Sequence, residues 1–252
     1  MPLLAAIYGV VVYALSLAVF VWAVGFLGNV PGMPTTIDTG ITSNLSTTLA
    51  VDAALLTLFA VQHSVMARRS FKRWWTRFVP TSVERSTYIL ATTLVLALLL
   101  WQWRPIADPV VWDVTAPLAR ELLLAVFWCG WVVLLAATFL INHFEMFGLQ
   151  QVYDRWRGRE QQAAQFGTPG LYRLVRHPIY LGFVLSFWAA PRMSAGHLMF
   201  AIATTAYIFV GIWFEERDLV AMFGARYERY RDQVGMLFPR LRRSRAHERA
   251  ES

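Results

Sequence analysis

The chain has 252 residues, 57% hydrophobic and 15% charged, with a formal net charge of +7. A soluble domain carries nearer a quarter charged residues, so an ordinary water-soluble fold is excluded and the surplus apolar surface must face lipid. A nucleic-acid footprint is excluded as well, because 20 of the 23 Lys and Arg fall in three segments, 67–87, 142–178 and 215–252, that alternate with apolar runs.

A membrane-crossing helix needs about 20 mainly apolar residues. Leu3–Gly28 meets this without a charge, and with no basic stretch before it the run reads as a span, not a cleavable leader. Leu45–Met66 carries a single acid, Asp52, expected to face another helix or the outer surface. The segment 67–87 mixes Lys and Arg with Phe71, Trp74 and Trp75, the composition of an interfacial anchor. Ser86–Trp103 and Leu122–Ile141 are the next uncharged runs; the second holds the one cysteine, Cys129, which rules out an intrachain disulfide and is expected to pack in the bundle. Ile179–Ala190 is short and stops at Pro191, so it is expected to pair with His197–Phe214 as a hairpin. From Leu219 to Val234, Leu219, Met222, Phe223, Tyr227, Tyr230 and Val234 recur on one helical stripe, opposite Arg217, Asp218, Arg226, Glu228, Arg229 and Arg231.

The expected fold is therefore all-α: a polytopic integral membrane helical bundle of five to six membrane segments, the last two a hairpin, with a cytoplasmic amphipathic C-terminal helix. It reads as one domain over 1–252, with a four-span bundle at 1–147, a loop, hairpin and C-terminal helix at 148–240, and a disordered tail at 241–252. Basic segments stay on the cytoplasmic side, which puts 67–87, 142–178 and both termini inside. The Trp and Tyr residues are expected to form interfacial belts.

The stretch YRLVRHPIYLG, 172–182, sets Arg173, Arg176 and His177 against an apolar run. Pro178 disfavours the α-region at His177 and suits a first helical position, so a helix is expected to start there, its free N–H groups facing the membrane surface as an anion site. Arg173, Arg176, His177 and Tyr180 follow at i, i+3, i+4 and i+7 and converge if the stretch before Pro178 is helical. Gly170 and Gly182 allow close approach. Glu215 and Glu216 directly follow the last apolar run, and the hairpin makes them neighbours of this motif. Cations on one wall and carboxylates on the other suit a zwitterionic ligand. Anchoring by the positive-inside rule is the competing role of Arg173 and Arg176.

TPGLYRLVRHPIYLGF followed by FEERDLVAMFGARYERYRDQVGMLFPRL resembles the isoprenylcysteine carboxyl methyltransferase superfamily. The shared pattern is G-x-Y-x-x-x-R-H-P-x-Y-x-G, then an acidic pair, then F-G-x-x-Y-x-x-Y and a late proline, over about 164–240. The resemblance implies S-adenosyl-L-methionine as cofactor, in a cavity closed by the C-terminal segment. Tyr172, His177, Pro178 and Tyr180, with Glu215 or Glu216, match cofactor-contacting positions; Gly170, Arg176 and Gly182 would shape the pocket. In the carboxyl methyltransferases an arginine four residues before the cofactor glutamate meets the substrate carboxylate. Here that position is Gly211 or Ile212, which bind no carboxylate. INHFEMFGLQQV (141–152) and the FEERDL stretch are more similar to the bacterial membrane methanethiol S-methyltransferases and the NnrU-like proteins near them. That likeness implies methylation of a small thiol.

A thiol ionises near 8.5 or above, so a base helps. The candidates are His143, with Glu145 in support, and His63. An interfacial cap is the competing role of His143, and an interhelical hydrogen bond that of His63. No metal-ligand spacing is present. The partners implied are a small-molecule thiol and the bilayer, with no nucleic acid and no obligate protein partner, in a bacterial cytoplasmic membrane with the site facing the cytoplasm. The alternatives are a methyltransferase for an amphipathic lipid or isoprenoid, a sterol-type reductase using NADPH, whose 2′-phosphate the acids at 215–216 would repel, and a non-enzymatic NnrU-like transporter or assembly factor.

Overall fold

The computed structural model describes residues 2–159 and 166–240, so the expected disordered tail at 241–252 lies outside the described residues. The chain runs α1 (Pro2–Leu27), α2 (Leu45–Ala67), α3 (Arg69–Trp75), α4 (Thr81–Gln102), β1 (Val110–Asp113), α5 (Pro117–Ile141), α6 (His143–Met146), α7 (Leu149–Arg157), a 3-10 turn (Gly170–Arg173), α8 (Pro178–Trp188), β2 (Arg192–Ser194), α9 (Ala195–Phe223) and α10 (Ala225–Gln233). Among the described residues α1, α2, α4, α5 and α9 are long and apolar enough to cross a membrane. Their outward faces carry Leu4, Val10, Leu118, Val132 and Trp213, each more than half exposed. Apolar surface on that scale needs lipid as its solvent, and the chain is a multi-pass membrane protein.

α8 is the exception. Its 11 residues rise about 16 Å, half the roughly 30 Å of a hydrocarbon core. It doubles back against α9 as the expected hairpin, with Tyr180 bonded to Glu215 and Trp188 to Thr205, but lies chiefly against α5. Gly130 and Gly182 make that packing possible. A Cβ on Gly182 would stand 2.5 Å from the Gly130 carbonyl oxygen, and one on Gly130 would stand 2.4 Å from Ser186 Oγ. Small residues that let helix backbones touch are the usual interface in lipid. Gly182, expected to shape the pocket, thus serves helix packing, and Cys129, expected inside the bundle, is exposed on α5.

The two ends of the bundle differ in chemistry. At one end β1 and β2 form a two-stranded antiparallel ladder, Val110 opposite Ser194 and Asp113 opposite Arg192, a pairing the apolar-run reading missed. Trp103 is fully buried there among Phe26 and Phe200 and donates its indole N–H to the Ile37 carbonyl. Asp52, also fully buried, accepts from the Arg104 backbone N–H at 2.9 Å. The basic segments meet at the opposite end, where Arg68 covers the Phe214 ring at 3.8 Å and Arg85 reaches the Met146 carbonyl at 2.8 Å.

α9 runs unbroken for 29 residues, past the apolar run that ended at Phe214. The 20 residues from Ala195 to Phe214 rise about 30 Å, one hydrocarbon thickness, so Glu215 stands where the helix leaves lipid. The expected C-terminal helix is accordingly split: its first part is the end of α9, and Gly224, at φ +53°, breaks it before α10. An L side chain rarely adopts that conformation.

Candidate active site

Pro178 begins α8 and His177 sits just before it at φ −127°, ψ 65°, outside the α region that a following proline disfavours. The preceding residues do not form an α-helix. They make the 3-10 turn, opened by Gly170 at φ +49°, where a Cβ would lie 2.9 Å from Leu140. The four-residue convergence is therefore partial. Arg173 turns out to the Thr168 carbonyl, while Arg176, His177 and Tyr180 point to α9.

There the two glutamates divide the work. Glu216 Oε1 accepts from Arg176 Nε at 2.8 Å and lies 3.0 Å from His177 Nε2. Glu215 Oε2 accepts from the Tyr180 hydroxyl at 2.9 Å, and its side chain remains 45% exposed. Glu216 is thus a buried structural anion and Glu215 an accessible one.

The segment after α10 closes over this cluster. Arg176 N–H donates to the Gly235 carbonyl at 2.8 Å and His177 N–H to the Met236 carbonyl at 3.1 Å. Arg176 Nη1 donates to the carbonyls of Arg231 and Val234 at 3.0 and 2.6 Å. Tyr230 donates its hydroxyl to the Tyr172 carbonyl at 2.6 Å, and Tyr172 donates to the Ala137 carbonyl at 3.5 Å. Among the described residues the buried Tyr227 hydroxyl has no hydrogen-bond partner, and it lies within the field of Glu216, Arg176 and Glu215. Burial, with the carboxylates adding to it, keeps all three phenols neutral: it pushes Tyr172 and Tyr227 well above the usual tyrosine range, and Tyr230 to about 12 against the opposing charge of Arg176.

The base candidates are not hydrogen-bonded into this cluster. His143 is buried in an aromatic cage, stacked on Phe139 at 4.1 Å between centroids. Its Nε2 faces the Tyr13 hydroxyl and its Nδ1 the Thr138 hydroxyl, both at 2.9 Å. Burial lowers its pKa, and no hydrogen bond joins it to the Glu215–Glu216 cluster. Glu145 accepts from the Asn142 amide at 2.8 Å in a helix cap and is not paired with His143. His63 lies against Tyr88, Thr92 and Phe59 between α2 and α4. Tyr88 is buried and Tyr207 half-buried among the helices, not in an interfacial belt. Among the described residues no group of His, Cys, Asp and Glu is placed to hold a metal ion.

Gly211 carries no side chain opposite Tyr180: even a Cβ there would stand 3.8 Å from the Tyr180 hydroxyl. Ile212, the alternative site of a substrate-binding arginine, is buried in the core. The site therefore offers an accessible carboxylate, a phenol unpartnered among the described residues, and two aromatic rings 5.6 Å apart (His177 and Tyr180), with no side chain at Gly211 beside them. Tyr227 was missed as a site residue by sequence reasoning; the F-G-x-x-Y spacing that contains it is the signal that points there.

Residues 53–224 match the model of the NnrU protein family. The methanethiol S-methyltransferase of Mycobacterium tuberculosis is 53% identical over 236 residues, 94% of this chain and 96% of the relative. Methanethiol S-methyltransferase 2 of Bradyrhizobium diazoefficiens is 52% identical, over 93% of this chain and 90% of its own. The methanethiol S-methyltransferase of a Pseudomonas species is 50% identical, over 93% and 89%. No solved structure matches significantly. The chain belongs to the NnrU protein family and, within it, to the family of bacterial methanethiol S-methyltransferases.

Proposed function

We propose that the protein transfers a methyl group from S-adenosyl-L-methionine to methanethiol, forming dimethyl sulfide, at the cytoplasmic face of a bacterial inner membrane. The observation that carries the reading is the Arg176–Glu216–His177 cluster, with the accessible Glu215 next to Glu216 on α9 and a buried Tyr227 hydroxyl left unpartnered among the described residues. The whole chain acts as one unit, with 148–240 supplying the cofactor site.

The donor set fits the cofactor. Glu215 and Tyr227 suit an ammonium or ribose hydroxyls, and the faces of Tyr180 and His177 suit a sulfonium. Tyr172 and Pro178 position these groups from the turn and the start of α8. When bound, the cofactor supplies an electrophilic methyl on a positively charged sulfur. Glu216, paired with the Arg176 guanidinium and hydrogen-bonded to His177, keeps both in place. The aromatic walls exclude water, and a low-dielectric site favours a reaction in which thiolate and sulfonium charges cancel. Gly211 and Ile212 in place of a carboxylate-binding arginine leave room for a small uncharged acceptor. The basic segments 67–87, 142–178 and 215–240, gathered at the site's end, orient it to the cytoplasm.

Calorimetric titration of the detergent-solubilised protein with S-adenosylmethionine tests the reading, with His177→Ala and Glu216→Ala alongside. The expected result is binding weakened at least tenfold by each substitution, and dimethyl sulfide on addition of methanethiol. A folded wild-type protein that binds no S-adenosylmethionine overturns it.

A further inference from the structure

We infer that the acceptor thiol is taken up beside His63, in a half-buried niche between α2, α4 and α9, and that His63 takes its proton. The inference rests on the methyl-transfer reading above and adds the acceptor site to it.

The niche is built from an imidazole with apolar and hydroxyl walls. Phe59 stacks on the His63 ring, centroids 5.5 Å apart and planes 12° apart. The Tyr88 hydroxyl lies 3.0 and 3.1 Å from the two His63 nitrogens. One hydroxyl hydrogen serves only one of them, and Thr92, at 3.5 Å, is at the limit of reach. In the tautomer whose ring N–H donates to the Tyr88 oxygen, the other His63 nitrogen keeps its lone pair for a ligand. In the same layer Gln62 Oε1 is buried without a partner. Across the niche, the Tyr207 hydroxyl meets Ser64 Oγ at 3.0 Å and the Tyr207 ring meets Phe59 edge-on at 6.4 Å.

One face of α9 links this place to the cofactor cluster. Tyr207, Gly211 and Glu215 follow at i, i+4 and i+8, so they share one face of α9, and the missing side chain of Gly211 leaves a gap between the other two. Tyr180 faces that gap and is bonded to Glu215. The other described histidines are not available. His143 has both nitrogens engaged, His177 is held by Glu216, and His197 is bonded to the Phe187 carbonyl at the opposite end of the bundle. A methyl group suits the Phe59 and Tyr207 walls, and an S–H suits a bare imidazole nitrogen. In the step, the thiol proton passes to His63 and the sulfur electron pair forms the new bond to the transferred methyl. The bond from that methyl to the sulfonium donor breaks, its pair staying on the donor sulfur, and the proton on His63 is released to water.

The test uses His63→Gln, His63→Ala and Tyr207→Phe in the full chain. Calorimetry with S-adenosylmethionine is expected to be unchanged in all three, which separates this site from the cofactor site. With methanethiol, kcat/KM is expected to fall about 10²- to 10⁴-fold without the base, and Tyr207→Phe to raise KM a few-fold. With hydrogen sulfide, smaller and more acidic, the loss in the His63 variants is expected to be at least tenfold less. A second readout needs no methyl donor: methanethiol added to histidine-labelled protein shifts the ring resonance that His63→Gln deletes. Equal losses with both thiols, or an unmoved resonance, overturn the proposal. If the wild type binds no S-adenosylmethionine, the parent reading fails, and the resonance shift alone decides whether the niche takes a thiol.

Discussion

One carboxylate oxygen of Glu216 serves two consecutive motif residues, lying 2.8 Å from Arg176 Nε and 3.0 Å from His177 Nε2. This contact fastens the end of α9 to the start of α8. Removing one partner of a buried pair leaves an uncompensated charge and costs about 3–5 kcal/mol. Glu216→Ala is therefore expected to lower the unfolding temperature in detergent as well as weaken cofactor binding, and Glu216→Gln to do both less. Thermal unfolding followed by tryptophan fluorescence checks this.

Glu215 should behave differently. Its side chain is 45% exposed and its bond is to Tyr180. A hydrogen bond to a charged group contributes about 1.5–3 kcal/mol when buried, and less here. Tyr180→Phe is expected to reduce cofactor affinity five- to tenfold with little change in unfolding temperature, as calorimetry and a melt of the same sample would show.

The closing segment contributes backbone groups. Gly235 and Met236 accept from Arg176 and His177 N–H, and Val234 accepts from the Arg176 side chain. A chain ending at Gln233 is expected to keep the helical circular dichroism of the spans and lose cofactor binding. Retained affinity would show that the segment does not close the site.

The α5–α8 contact has no room to spare. A Cβ on Gly182 would lie 2.5 Å from the Gly130 carbonyl, and overpacking costs about 1–3 kcal/mol. Gly182→Ala is expected to destabilise by about that much, and Gly182→Leu to prevent assembly of the bundle, visible as aggregation on size exclusion.

His143 links stability to pH. Burial lowers its folded-state pKa below the ordinary 6.5, so below that pH the unfolded chain binds a proton the folded chain does not. Stability is therefore present above about pH 6.5 and declines as the pH falls below it. His143→Phe is expected to flatten this dependence between pH 7 and 5 in thermal melts.

The spans were legible in the sequence because lipid imposes one condition on every residue of a run, and hydropathy reports it directly. The motif was legible because Pro178 dictates where α8 starts, wherever the rest of the chain lies. The role of Gly182 was not, since the same glycine serves a pocket or a helix contact depending on what faces it, and Gly130 faces it. Tyr88 and Tyr207 read as interfacial aromatics until the packing of α2, α4 and α9 enclosed them.

The sequence by itself determined an all-α membrane bundle, its apolar segments, the gathering of basic segments at alternate loops, and the pairing of RHPxY with an acidic pair. These follow from local composition and from backbone geometry near proline. Only the tertiary structure decided that Glu216 takes Arg176 and His177 while Glu215 takes Tyr180, that His143 is caged, and that His63 packs between Phe59 and Tyr88. Adjacent glutamates on one helix differ by about 100° in direction. Which of them meets a partner depends on the rotation and axial register of α9 against α8, set by packing contacts far away in the chain.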